Sequence, residues 1–151
     1  MRTTNLNREV VPDLPGFILL SHGPLSRGLL QSFELVFGDA ENLVAIELEE
    51  GDDPDAFIKA AVDAYERMPD GSVFLLDVFG GTPFNKVMEF FLGSNKPIRA
   101  VCGMNLGMLM EGVVSRDESS DDLPERLAAY GTSSVIDVGT KWAARTQGHF
   151  E

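Results

Sequence analysis

Short apolar runs alternate along the chain with longer segments in which apolar residues recur every three or four positions. A continuous apolar run between turn residues is typical of a buried strand, and the longer period is typical of an amphipathic helix. The runs predict five strands, at 17–21, 43–48, 73–78, 97–102 and 133–138. Helices are predicted between them, including one over 121–130 that ends at Gly131.

Residue types also mark the helix boundaries. Asp53 followed by Pro54 predicts an N-cap and a first helical residue, and Asn105 predicts a second cap. Thr82 is the predicted N-cap of the helix after the third strand. The first helix should bury a stripe formed by Leu25, Leu29, Leu30, Phe33 and Phe37.

Strands that alternate with helices and are apolar throughout predict an α/β fold with a doubly wound, mostly parallel sheet. Numbered along the chain, the first four predicted strands should have the order 2-1-3-4. Ligands of such sheets bind beyond the carboxyl ends of the strands where the winding reverses, here between the first and third strands. We expect a polar N-terminal arm over 1–15, one domain over 16–138 and a C-terminal tail over 139–151.

Composition narrows the class of protein. The 151 residues are 44% hydrophobic, which is enough for one buried core. No run approaches the ~20 apolar residues that cross a membrane, and no apolar centre of a secretory signal precedes the first strand. The net charge of -12 disfavours nucleic acid and favours partners with basic contact patches. The single cysteine, Cys102, excludes an internal disulfide and predicts a cytoplasmic location.

Two candidate catalytic residues follow predicted strands. His22 comes after the first strand and precedes Gly23, which permits close approach of other backbone. Asp77 ends the most apolar strand, where a carboxylate needs a hydrogen-bond partner. Because the two strands should be neighbours, we expect the side chains to lie about 2.6–3.2 Å apart or to share one water. Asp77 would then fix the tautomer of His22 and leave one ring nitrogen free to attack. Each residue alone is also compatible with a simple cap.

The run Gly80-Gly81-Thr82-Pro83 opens the third predicted helix. Its glycines expose backbone N–H groups, and a helix N-terminus of this kind binds phosphate readily. A Gly-Gly turn by itself is often only a tight connection. Histidine, carboxylate and anion-binding turn together, however, fit reversible phosphoryl transfer through a phosphohistidine.

Other signals are weak or missing. The sequence lacks a Walker A loop, so ATP is not expected as the direct donor, and it lacks histidines at metal-ligand spacing. We predict neither a metal nor a cofactor. His149, in the tail, should be exposed and without a role. The acidic residues between Glu47 and Asp55 are interpreted as a solvated strand end and helix start. Met104, Met108 and Met110 are interpreted as core or interface residues and not as part of a cofactor site.

Four segments resemble the enzyme IIA domain of the mannose/fructose/sorbose family of the bacterial sugar phosphotransferase system. They are FILLSHGPLSRGLLQSFELVFG, LEEGDDP, VFLLDVFGGTPFN and VCGMNLGMLMEGV. Their order and spacing match over about residues 16 to 138, nearly the whole chain. The run DVFGGTPFN is the most specific of them, and CGMNLGML supports it.

The resemblance implies a phosphoryl carrier. His22 would accept phosphate from the histidine-containing phosphocarrier protein and pass it to an enzyme IIB partner, and a membrane sugar permease would use it later. The resemblance also implies that Asp77 orients His22. The residues expected to contact the phosphoryl group are Gly23, Gly80, Gly81 and Thr82, and the hydroxyl of Ser21 could bond it as well.

The resemblance further implies a homodimer, and in members of this family the C-terminal strand, here predicted at 133–138, can be exchanged between subunits.

Three other interpretations stay open. A phosphohistidine subunit of a dihydroxyacetone kinase system has a similar fold, although its loop does not normally read GGTPFN. A receiver phosphorylated on Asp77 would need an acidic magnesium cluster where this chain has Ser-His-Gly. A non-catalytic regulatory module of the same fold is the third.

Overall fold

The structure is a computed structural model, and it describes residues 1–146 of the chain. Within this range, five strands and six helices follow one another in a largely alternating order. The strands are β1 (Arg2–Thr4), β2 (Phe17–His22), β3 (Leu43–Leu48), β4 (Val73–Leu76) and β5 (Ala100–Cys102). The helices are α1 (Leu25–Phe37), α2 (Pro54–Arg67), α3 (Gly81–Ser94), α4 (Leu106–Ser115), α5 (Leu123–Ser133) and α6 (Val138–Thr146).

The strands form one sheet in the order β1-β3-β2-β4-β5. Strands β3, β2, β4 and β5 pair in parallel. They correspond to the first four predicted strands and have the predicted order, 2-1-3-4. No strand was predicted at β1, which lies within the N-terminal arm and pairs antiparallel with β3. The side chain of Asn42 fastens the rest of the arm, because it hydrogen-bonds the backbone of Val11 and Leu14.

Helices cover both faces of the sheet, as the apolar strands require. Alternate side chains of β2 point to opposite faces. Phe17 and Leu19 belong to a core shared with α1, α4 and α5, whereas Ile18 and Leu20 pack into a core shared with α2 and α3. The continuous apolar runs of β2 and β4 therefore serve two cores at once. None of the helices in residues 1–146 has both the length and the apolar character to span a membrane.

Two of the three predicted helix caps are confirmed. Asp53 accepts a hydrogen bond from the Asp55 N–H at the start of α2, and Asn105 caps α4. The predicted cap at Thr82 is wrong, because α3 begins at Gly81 with Gly80 as its N-cap. Two positive φ angles let this helix start before the threonine.

The predicted strand at 133–138 is also wrong. Helix α5 continues to Ser133, and α6 begins at Val138. Asp137 caps α6 through hydrogen bonds from the N–H and the hydroxyl of Thr140, which favours a helix start over a strand. The β-branched residues before the cap misled the prediction, since Val135 is 78% exposed and pairs with no strand of the described chain. The prediction for His149 lies outside the described residues.

Candidate active site

The carboxyl ends of β2 and β4 bring the two candidate catalytic residues together. The strands are adjacent, with Leu20 paired to Leu76, so the residues that follow emerge at one edge of the sheet. The His22 side chain is 49% exposed and the Asp77 side chain is 8% exposed. One partner therefore faces solvent while the other is held in the protein.

Asp77 binds His22 at two points. Its Oδ2 lies 2.8 Å from the His22 Nδ1 and also accepts the His22 backbone N–H at 2.8 Å. Its Oδ1 accepts the N–H of Val78 at 2.9 Å. The predicted distance between the two side chains is confirmed. Because a carboxylate can only accept, the neutral imidazole carries its proton on Nδ1, and Nε2 keeps a free lone pair.

The glycine turn after β4 lies against the imidazole. A Cβ atom at Gly81 would be 2.9 Å from Cε1 and 3.0 Å from Nε2 of His22, so only glycine leaves the ring in place. Gly81 and its neighbour Gly80 both have positive φ angles, 80° and 108°. The free nitrogen of the histidine is thus next to the first residue of α3.

The N-terminus of α3 is suited to an anion. No side chain caps it, and its N-cap is Gly80. The N–H groups of Gly81 and Thr82, in the first turn, have no partner within the helix, and the helix dipole is positive at this end. Thr82 therefore stands where it can offer both an N–H and a hydroxyl, although it is not the cap that the sequence predicted.

Two residues beside His22 have other partners. Gly23 has a φ of 62°, and its N–H donates to the Leu48 carbonyl oxygen at 2.8 Å. A phosphate-binding role for Gly23 stays a prediction, and its N–H would not be the donor. The suggestion that Ser21 bonds the phosphate is wrong, because its side chain is fully buried and hydrogen-bonded to Gly23 and Ser26.

An acidic cleft borders the site on the β3 side. It is lined by His22, Gly23, Pro24, Arg27, Glu47, Leu48, Glu49 and Glu50. The prediction that Glu47 is a solvated acid is wrong, because this residue is 2% exposed and pairs with Arg27 Nε at 2.5 Å. The available signal was its position within β3, because alternate residues of a strand share one face of the sheet and that face is covered by the core.

Burial and charge also affect a thiol at the carboxyl end of the neighbouring strand β5. Cys102 ends β5 and is partly buried. Burial, followed by the negative charge of Asp77, raises the pKa of the Cys102 thiol. Both causes disfavour the thiolate, and the contribution of Asp77 shows that its charge acts at the end of β5.

Exposed apolar side chains follow both candidate catalytic residues closely in the sequence. Leu25 and Val78 are each 51% exposed, and Phe79 is 83% exposed, with its ring packed at a tilt against Phe84. The predicted burial of Leu25 in the stripe of α1 is wrong, as is that of Phe37, which is 50% exposed. Apolar groups of this size beside a polar site are typical of a surface that another protein covers.

Known proteins share sequence and fold with this chain. The family described as "PTS system fructose IIA component" (EIIA-man) matches residues 16–128. The fructose-specific EIIA component of the phosphotransferase system (PTS) of Bacillus subtilis is 28% identical over 120 residues, which are 78% of this chain and 82% of that protein. The mannose-specific EIIAB component of Escherichia coli is 27% identical over 122 residues, 78% of this chain and 38% of its own length.

A solved structure is similar over nearly its full length. The PTS component EIIA from Streptococcus agalactiae has 30% sequence identity and a TM-score of 0.75, over 84% of this chain and 99% of that one. The sequence match and the shared fold agree with the resemblance found in the sequence. The chain therefore belongs to the mannose-type EIIA family of the sugar phosphotransferase system, with a role in phosphotransfer during sugar uptake.

Proposed function

We propose that His22 carries a phosphoryl group on Nε2, accepting it from the histidine-containing phosphocarrier protein and passing it to an enzyme IIB partner. The observation that carries this proposal is the use of the two ring nitrogens. Nδ1 is held by Asp77 at 2.8 Å, whereas Nε2 lies beside Gly81 at the uncapped start of α3. One nitrogen is oriented, and the other is free at an anion-binding terminus.

The transfer exchanges one N–P bond for another. The lone pair of Nε2 attacks phosphorus, the new N–P bond forms, and the bond to the donor's imidazole breaks and returns its electron pair to that ring. The His22 ring becomes cationic while Nδ1 keeps its proton, and the negative carboxylate of Asp77 stabilises this cation. The N-terminus of α3 stabilises the phosphoryl oxygens. Because similar bonds are made and broken, the same groups serve the onward transfer.

The surroundings of His22 support a protein donor. The exposed side chains of Leu25, Val78 and Phe79 would pack against a protein surface, whereas a small molecule would not need them. The net charge of -12 favours a donor with basic contacts. The E. coli relative is named an EIIAB component, and this name supports an EIIB acceptor. A cytoplasmic location and a homodimer also belong to this proposal.

Mass-spectrometric mapping tests the proposal. The purified chain is incubated with phosphoenolpyruvate and the two general phosphotransferase proteins, with ATP alone in a parallel sample. We expect one acid-labile, base-stable phosphate on His22, absent in His22→Ala and retained in His149→Ala, and no phosphate from ATP. Chase with an EIIB protein should remove it. Stoichiometric phosphate on His22→Ala would overturn the proposal.

A further inference from the structure

A buried hydroxyl lies under the turn that carries His22. Ser21 is fully buried at the end of β2. Its Oγ donates to the carbonyl oxygen of Gly23 at 2.8 Å and accepts the backbone N–H of Ser26, also at 2.8 Å. A single side chain thus joins the residue after His22 to the first turn of α1.

This hydroxyl replaces a missing cap. The residue at the N-cap position of α1 is Pro24, and it makes no side-chain cap. Ser21, three positions earlier, accepts one of the N–H groups that a helix start leaves without a partner. The segment from Ser21 to Ser26 is therefore a closed loop with His22 inside it. A third tie, from the Gly23 N–H to Leu48, fixes the loop to β3.

We infer that Ser21 is a positioning residue for phosphoryl transfer, which rests on the function proposed above. The backbone N–H of His22 and its Nδ1 both bond the same oxygen of Asp77, so the orientation of the ring depends on the position of the backbone that carries it. The Cε1 and Nε2 edge of the ring lies so close to Gly81 that an added Cβ atom there would come within 3.0 Å of it. Together with the bond from the Gly23 N–H to Leu48, the Ser21 hydroxyl holds the backbone that follows His22.

Small displacements matter in such a step. Reacting atoms must approach to about 3–3.5 Å, and a misplacement of about 1 Å can slow a reaction roughly 100-fold. Without the hydroxyl, the Gly23 carbonyl and the Ser26 N–H would lose their partner, and the turn could relax. The expected defect is in the rate of transfer once the donor is bound, because Ser21 is buried and cannot contact the donor.

Ser26 provides a matched control. It is also a fully buried serine, in the first turn of α1, but its hydroxyl donates to the Ile46 carbonyl oxygen of β3 instead of the turn. Ser26→Ala removes a buried hydroxyl from the same helix start and leaves the Ser21 contacts in place. Ser21→Thr keeps the hydroxyl and serves as the conservative variant.

The test compares Ser21→Ala, Ser21→Thr and Ser26→Ala with the parent chain, each well below its own Tm. Single-turnover phosphorylation by the phosphocarrier protein is measured against donor concentration. We expect Ser21→Ala to lower the maximum rate about 10- to 100-fold without changing the half-saturating donor concentration. Ser26→Ala and Ser21→Thr should stay within about threefold of the parent. NMR of the labelled His22 ring nitrogens should show loss of a single Nδ1–H tautomer in Ser21→Ala alone.

Three results separate the possibilities. A parent chain that takes no phosphate on His22 would overturn the proposed function itself. A phosphorylated parent with an equally fast Ser21→Ala, or with Ser26→Ala equally slow, would overturn the role of Ser21 and leave the function intact. If Ser21→Ala does not fold, Ser21→Cys replaces it, and its weakly bonding thiol should give an intermediate rate. A parental rate in that variant would equally contradict the inference.

Discussion

The two ends of the sheet use polar side chains in opposite ways. At the amino end, Arg99 and Arg116 direct their guanidinium groups to backbone oxygens, and Arg116 is 4% exposed. Their partners are the carbonyls of Gly71, Ser72, Ser120, Pro15 and Glu41. At the carboxyl end, His22 is 49% exposed and engages Nδ1 while Nε2 faces an uncapped helix. A guanidinium that binds loop carbonyl oxygens joins segments of the chain. An imidazole that keeps a free nitrogen beside an uncapped helix N-terminus can react.

Removing the charge of Asp77 should give the largest effect. Asp77→Asn keeps the shape of the side chain, but its neutral amide can also donate and so permits the wrong tautomer of His22. We expect the phosphoryl-transfer rate to fall by about 10- to 10,000-fold while the fold is retained. Asp53→Asn is the matched control, since asparagine caps α2 as well as aspartate does. Rapid-quench kinetics would identify Asp77 as a simple structural cap if Asp77→Asn were as fast as the parent.

Filling the space beside the imidazole should give the next largest effect. Gly81→Ala puts a methyl group 2.9 Å from the His22 ring, so the ring must move and transfer should slow about 100-fold. Gly103→Ala is the control, because Gly103 has the same φ of 80° but no atom within 4 Å of its added Cβ. Both variants should lose about 1–2 kcal/mol of stability from backbone strain. Equal transfer rates in the two variants would show that the contact with His22 is irrelevant.

A change at the amino end should affect stability and not transfer. Arg116→Met leaves the Glu41 and Pro15 carbonyls without this donor and should cost about 1–3 kcal/mol in the free energy of unfolding. Urea unfolding measures the loss. The transfer rate of the folded protein should stay within about twofold of the parent, because this residue lies at the far edge of the sheet. A tenfold slower transfer would contradict the division of the molecule into two ends.

The smallest expected effect is a change in thiol reactivity. The negative charge of Asp77 disfavours the thiolate of Cys102 and so raises its pKa, after the larger contribution of burial. Removing that charge in Asp77→Asn lowers the pKa and increases the thiolate fraction at a fixed pH. Alkylation of this single cysteine near pH ~8.5 should then be about two- to threefold faster. Asp53→Asn, the control, should leave the alkylation rate unchanged. An unchanged rate in Asp77→Asn would show that the charge of Asp77 does not affect the pKa of Cys102.

Some features of the site were predictable because their signals are local. His22 and Asp77 each follow an apolar run, and strand adjacency follows from the handedness of the crossovers. The 2.8 Å contact between their side chains was expected on that basis. The start of α3 was misjudged by two residues, since Thr82 has the chemistry of a cap and only the backbone angles of Gly80 and Gly81 decide otherwise.

Other features depend on which strands and helices pack against a residue in the folded protein. Ser21 and Glu47 are polar, and their burial follows from pairing between β2 and β3 under α1, with Ser21 opposite Glu47 in the register. The strand β1 has too few residues for a periodic signal and forms because the edge of β3 is open to it. At 133–138 the pattern of β-branched residues fits a strand, but Asp137 begins a helix there.

By itself, the sequence determined the parallel core, its strand order and the meeting of a histidine with a carboxylate at one sheet edge. Apolar runs, turn residues and crossover handedness are enough for this, because each acts within a single strand–helix unit. Only the tertiary structure decided which hydroxyl is buried, which acid is paired and which ring nitrogen is free. Those properties depend on atoms from β2, β3, β4 and α3 that are distant in sequence, and a pattern of residue types carries no distance between them.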